Sequence, residues 1–247
     1  HAVQTLEYSF EKYERWFDGE ATHMRSRIRW RREPYSVYVR QESPKEGLEV
    51  LFQKGWNDGD ILVNTNGFPW VNVSLNPLGE RARKKNHHTM FSSGFDYTAS
   101  LLDIAVGTKN SLTEYVTYHG QEEVNGEACH KVELNIPNFG YQDYRVEAGE
   151  TTFSIARKLE VNEFKIVLAN DAIEDYHTDL QEGQVITVPT HYAPRQIFWI
   201  SLQDNLPRRM EVYDEEGLFE RYQYSNMQVN PPLTSEHFSP EYEEYGF

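Results

Sequence analysis

The side chains that could do chemistry are scattered along this sequence. Cysteine occurs once, as Cys129 beside His130. Neighbouring residues of a strand point to opposite faces, so this pair cannot act together as nucleophile and base. The sequence contains neither a G-x-S-x-G elbow nor an H-E-x-x-H zinc motif. The paired acids Glu122-Glu123 and Glu243-Glu244 read as a solvated turn and tail. A hairpin turn at Asn125-Gly126 sets a register in which His119 faces Val132 and Gln121 faces His130, which puts both histidines diagonally on one sheet face. A metal needs three or four ligands and no third accompanies them, so polar packing is expected, with no metal and no other cofactor. Arg25, Arg27, Arg29 and Arg31 alternate with Ser26, Ile28 and Trp30, a four-guanidinium row that could take phosphate or carboxylate. With 39 acids against 24 bases, a salt-bridged or solvated face is the stronger reading. A second basic run at 81–88, R-A-R-K-K-N-H-H, reads as a solvated loop or helix start. Nothing here assembles a catalytic centre, and the chain is expected not to be an enzyme.

The informative stretch is 144–189. Tyr144 and Val146 alternate with charged residues, as on a short half-buried strand, and Gly149 ends it where a positive φ is useful. Thr151 can cap a helix whose apolar face is Phe153, Ile155, Ala156 and Leu159. Asn162 can cap a second, with Phe164, Val167 and Leu168 inward. Alternation around Val185–Val188 and a closing Pro189 read as an edge strand. The order is strand, helix, helix, strand.

In Tyr144, Val146, Gly149, Glu150, Thr151, Ser154, Ile155, Ala156, Asn170, Leu180, Gly183, Gln184, Ile186 and Pro189 this stretch resembles the LysM family. It departs from the family pattern in Glu150, which stands where Asp is usual. The resemblance implies binding, without catalysis, to glycans containing N-acetylglucosamine, as in peptidoglycan or chitin. It implies a shallow groove with Gly149, Glu150, Thr151 and Thr152 on one side and Asn170, Asp171, Ala172 and Ile173 on the other. Backbone groups at a helix start can meet acetamido oxygens while small apolar groups receive the methyl. Thr151 and Asn170 can equally be plain helix caps.

Elements on either side must carry this unit. Val3, Leu6, Phe10 and Tyr13 recur at spacings of three, four and three, which predicts an N-terminal helix. Strand-like runs follow at 35–40, 48–54, 60–65 and 68–75, with turn signals at Asp58-Gly59 and Asn66-Gly67. A second helix is expected over 95–106. Strands then recur at 114–119, 127–136, 196–202, 208–213 and 218–224, and the aromatic tail should pack back on the sheet. The segments 31–39 (R-R-E-P-Y-S-V-Y-V), 75–79 (L-N-P-L-G) and 204–214 (D-N-L-P-R-R-M-E-V-Y-D) are similar to an uncharacterised bacterial family with a LolA-like fold. That resemblance implies an α+β architecture, a curved antiparallel half-barrel with covering helices, into which the βααβ unit is inserted. The expected division is 1–140 with 191–247, and 141–190. Proteins of the LolA-like shape carry lipids or lipoproteins in the envelope. An apolar space is therefore expected between the N-terminal helix and the meander, unless Phe10, Tyr13, Trp30, Phe52 and Trp70 fill it.

Composition narrows the partners. The formal charge is −15; residues 141–190 hold ten acids against four bases, or −6, leaving −9 elsewhere. Such a balance argues against nucleic acid or an anionic membrane surface as the main partner. No apolar run approaches the roughly 18 residues of a membrane span. The chain starts at His1 and not Met, so an export leader is expected upstream. The resulting expectation is a non-catalytic protein of the periplasm or outer envelope that binds peptidoglycan or a chitin-like glycan. Its alternative is an envelope carrier of lipid or lipoprotein, tethered to the wall by the LysM unit.

Overall fold

The computed structural model describes residues 3–16, 19–68, 70–96 and 112–247. The first residues correct the sequence reading. Thr5–Arg15 is a strand, β1, and not a helix. Its alternation puts Leu6, Tyr8, Phe10, Lys12 and Glu14 on one face and Glu7, Ser9, Glu11 and Tyr13 on the other. Only the four-residue step from Leu6 to Phe10 also fits a period of two, and pairing with two neighbouring strands makes the segment a strand, with Tyr13 on the opposite face.

From there the chain meanders outward as β2 (Ala21–Arg31), β3 (Ser36–Ser43), β4 (Glu49–Gln53), β5 (Ile61–Asn64) and β6 (Val73–Leu75), then turns through the short helix α1 (Glu80–Arg83). It re-enters at the opposite edge with β7 (Val116–Val124) and β8 (Glu127–Asn135), and later adds β11 (Arg195–Ser201), β12 (Pro207–Asp214) and β13 (Gly217–Val229). Among the described residues the order is β6-β5-β4-β3-β2-β1-β13-β12-β11-β8-β7, with every pairing antiparallel. The sheet is curved and unclosed, and β13 zips its late strands onto β1. The expected curved antiparallel half-barrel is present as this open sheet.

The inner face is packed. Leu6, Tyr8, Ile28, Trp30, Val37, Phe198, Met210, Val212, Tyr222 and Tyr224 form one buried cluster. The segment between α1 and Phe95 lies across it, with the Tyr35 hydroxyl donating to the Met90 carbonyl at 2.7 Å and Phe95 set against Tyr8 and Tyr224. Gly94, at φ +81°, can lie there because it has no side chain: a Cβ would stand 2.6 Å from the Trp30 ring. Among the described residues this segment, which includes a short 3-10 turn at Met90–Ser92, lies over the cluster in place of the expected N-terminal helix, so there is no gap between such a helix and the meander. Residues 97–106 of the expected second helix lie outside the described residues. On the outer face the C-terminal tail packs back as expected, with Tyr245 stacked on Tyr38 at 3.7 Å.

Two further readings change. Tyr118, not His119, faces Val132, because the register shifts at His119 and Gly120; Gln121 does face His130. His119 pairs with Glu133 and His130 with the Tyr118 hydroxyl, and no cluster of three or more metal-ligating side chains occurs among the described residues. The expected strand over 68–75 is reduced to β6, leaving Phe68 and Trp70 more than four-fifths exposed, so Trp70 fills nothing. The turn at Asn125 (φ 54°) and Gly126 (φ 82°) has the left-handed backbone that its hairpin requires.

Candidate functional site

Between β8 and β11 the chain leaves the main sheet to form β9 (Tyr141–Arg145), α2 (Thr152–Leu159), α3 (Glu163–Leu168) and β10 (Val185–Pro189). β9 and β10 pair with each other from Tyr141 opposite Pro189 to Arg145 opposite Val185. The unit therefore leaves and returns at one point, where Asn135 pairs with Arg195. Its core is local: Val146, Ile155, Ala156, Val161, Ile166, Val167, Ile173, Ile186 and Val188.

The loop into α2 is held by Glu150. Tyr144 donates to its carboxylate at 2.8 Å, the Glu147 N–H at 2.9 Å and Lys158 at 3.0 Å. Burial pushes this carboxyl up, but the Glu147 N–H, Lys158 and Tyr144 outweigh it and hold the group below its ordinary value. Glu150 thus reaches the whole local donor set despite its extra methylene. Gly149 sits at φ +75° with nothing near a notional Cβ, and Thr151 closes a reciprocal capping box with Ser154.

The facing loop is held by Asn170. Its amide donates to the carbonyls of Ile166 and Thr187, both at 2.7 Å, and its oxygen accepts from the Thr187 N–H at 2.8 Å. Asn170 thus caps a last-turn carbonyl of α3, as the plain reading expected, and also ties that end to β10. Gly149, Thr151, Asp171 and Ala172 are exposed on the two loops, while Glu150 and Asn170 are partly buried supports. Thr152 and Ile173 are buried: Ile173 belongs to the unit's core, and the Thr152 hydroxyl donates to Glu163 at 2.7 Å. Of the eight residues singled out in sequence, four are exposed on the two loops and four lie partly or wholly buried behind them.

Sequence reasoning missed how the unit is docked. Arg83 forms a two-pronged ion pair with Glu163, at 3.0 and 2.5 Å, with both side chains almost wholly buried and Tyr176 lying 3.8 Å under the guanidinium. Lys165 pairs with Asp214 at 2.5 Å, above the Phe219 ring. Asn162 donates to Glu220, which also accepts from Tyr192 and pairs with His87. Glu14, equally buried, accepts from Lys12, Tyr222 and the His87 N–H. Burial drives both carboxyls upward, yet His88 and His87 around Glu220, and Lys12 with the histidines around Glu14, bring each below its ordinary value. Phe164 adds an apolar contact, joining the main cluster beside Trp16 and Phe219. The run at 81–88 does begin in a helix, the end of α1, but it is not solvated throughout: Arg83 and His87 are buried in the junction. The available signal was the charge at inward positions of β1 and β13, where Lys12, Glu14 and Glu220 continue apolar alternations.

Two family models match this chain. The family model described as "Protein of unknown function (DUF1571)" matches residues 3–159, and that for the LysM domain matches 144–189, so the two overlap across β9 and α2. No curated protein matches the sequence. Similar solved structures include a DUF1329 family protein from Desulfovibrio piger, 11% identical, covering 96% of this chain and 90% of that one at a TM-score of 0.37. The Mycobacterium tuberculosis lipoprotein LppX is 11% identical, with 94% and 90% covered and a TM-score of 0.42. A LolA superfamily protein from Nitrosomonas europaea is 11% identical, with 98% and 93% covered and a TM-score of 0.36.

Proposed function

This chain belongs to the family described as Protein of unknown function (DUF1571), and from the LysM unit built into it we propose that it is a non-catalytic envelope protein binding peptidoglycan or a related N-acetylglucosamine-containing glycan. The observation that carries this reading is the pair of exposed loops at Gly149–Thr151 and Asp171–Ala172, each fixed from behind by a side chain, Glu150 or Asn170, whose polar groups are already bonded within the unit. Such loops need little reordering to accept a sugar, which lowers the cost of binding. The periplasm or outer envelope is the compartment where such a glycan is met. Residues 141–190 act as the binding unit, and 1–140 with 191–247 as the scaffold. Carriage of lipid by the half-barrel finds less support, since aromatic side chains and Phe164 pack its inner face.

Retention on purified peptidoglycan tests the proposal. Deleting the unit would also remove Asn162, Phe164 and Lys165 from the junction, so point substitutions on the exposed rim are the cleaner perturbation. Wild-type protein should be retained, and Gly149→Ala and Ala172→Arg should each release it without loss of fold. Retention unchanged in both variants, or none in the wild type, contradicts the reading.

A further inference from the structure

The arginine row contains two different kinds of site. Arg27 pairs with Glu42, and Arg29 with Glu7 and Glu244 under the C-terminal tail. Arg31 is buried against Phe238. Arg25 differs: its only polar side-chain contact among the described residues is with the Ser43 hydroxyl, at 3.5 Å. It shares with Arg221 a cleft of about 240 Å³ across the outer face of β2, β1 and β13. Arg221 stands cross-strand from Glu211 but forms no ion pair with it, and lies 5.9 Å from the centre of the Tyr13 ring.

Strand register makes this cleft a small grid. Tyr13 stands opposite both His23 and Arg221, and Glu11 opposite both Arg25 and Gln223. His23 meets the Tyr13 ring edge-on at 5.1 Å. Gln223 is fixed by Arg209 at 3.0 Å and Asn125 at 3.2 Å. In a chain with 39 acids and 24 bases, these two guanidinium groups face one cleft without an ion pair among the described residues, with Glu11 cross-strand from Arg25 and Glu211 cross-strand from Arg221; an anion seated between them would meet two unengaged forks. Guanidinium recognises carboxylate by paired N–H donors. Glu11 adds an acceptor beside them, which favours a ligand carrying a hydroxyl or amide N–H next to its carboxylate. The cleft is smaller than the roughly 300–1,000 Å³ of most small-molecule sites, so one sugar ring or a short peptide end fits its scale.

We infer that this outer cleft is a second ligand site, taking a small carboxylate that also bears hydroxyl or amide groups, such as a sugar acid. It lies on the opposite face of β1 from Lys12 and Glu14 and does not use the LysM loops. Wall glycan supplies such a group in the lactyl carboxylate of muramic acid, so that source rests on the proposed function while the cleft's preference for a carboxylate does not.

The test is an amide-resolved NMR titration of the full chain with N-acetylmuramic acid, N-acetylglucosamine and inorganic phosphate. N-acetylmuramic acid should shift the signals of 11–13, 23–25 and 221–223, weakening as salt rises. Neutral N-acetylglucosamine should leave those signals still. Arg25→Gln and Arg221→Gln should each weaken the response about tenfold or more, the loss expected for a charge-assisted hydrogen-bonded pair. Arg27→Gln, on the same strand face, should not. The site is overturned by no response to N-acetylmuramic acid, by an equal response to the neutral sugar, by a response to phosphate alone, or by undiminished binding in an Arg25→Gln/Arg221→Gln protein. A chito-oligosaccharide response confined to 149–151 and 170–172 would leave the glycan reading standing while this one fell.

Discussion

Replacing Glu163 by Ala should be among the most damaging single changes in the molecule, although the residue lies outside the exposed rim. It removes the acceptor of both Arg83 nitrogens and of the Thr152 hydroxyl, in a place where Arg83 is 3% exposed. An isolated buried guanidinium is far costlier than the pair is favourable, so breaking such a pair costs about 3–5 kcal/mol. At ~2–4 °C of Tm per kcal/mol for a chain of this length, thermal unfolding should fall by about 6–20 °C. The transition should stay single, because Phe164 and Lys165 of α3 share the sheet's core and ion pairs. Urea unfolding followed by circular dichroism gives the free energy directly. An Arg83→Met/Glu163→Leu protein, which removes both charges, should recover most of the loss. A Glu163→Ala cost below about 1 kcal/mol, the range of exposed pairs, would refute the reasoning, as would a double variant no better than the single one.

Glu220 predicts an acid limit. Its carboxyl sits below its ordinary value of 4.5 in the folded protein, where burial's upward push is outweighed by His88 and His87. Below about that pH the unfolded chain takes up a proton that the folded chain refuses, so stability is present above it and falls as pH drops through the folded value. Urea midpoints measured down the acid range should show this fall, and Glu220→Gln should flatten it while lowering stability at neutral pH. Asn170→Ala breaks the tie between α3 and β10 and leaves the Thr187 N–H without its acceptor, at a cost of about 1–3 kcal/mol. It should also weaken glycan binding, read by calorimetry, because the Asp171–Ala172 loop loses its support.

The LysM unit was legible because its information is local. Its strands, both helices and the core of Val146, Ile155, Ala156, Ile166, Ile186 and Val188 are encoded within 141–189. The hairpins were legible where a turn demanded positive φ, as at Asn125-Gly126. β1 was misread because Leu6 and Phe10 satisfy both periods; Tyr8 between them, with Glu7 and Glu11 turned outward, was the evidence for a strand. The docking of the unit was not legible, since Arg83 with Glu163 and Lys165 with Asp214 join residues 80 and 49 positions apart. Charge alone gave the run that holds Arg83 a solvated reading, and only the packed sheet shows where each of these residues finds its counter-charge. Thr152 and Ile173 illustrate the same limit, since their sequence positions beside the exposed loop residues gave no sign that Thr152 opens α2 with its side chain buried or that Ile173 belongs to the core.

The central claim is that this chain holds a glycan at the two exposed loops. Titrating the full chain with a chito-oligosaccharide and following backbone amide signals tests it most directly. One shallow groove without tandem repeats should give micromolar to millimolar dissociation constants, on the order of −4 to −8 kcal/mol. The perturbed signals should fall at 149–151 and 170–172, and Ala172→Arg should abolish them while the remaining spectrum is kept. No perturbation up to saturating sugar, or perturbation confined to the half-barrel, would contradict the account.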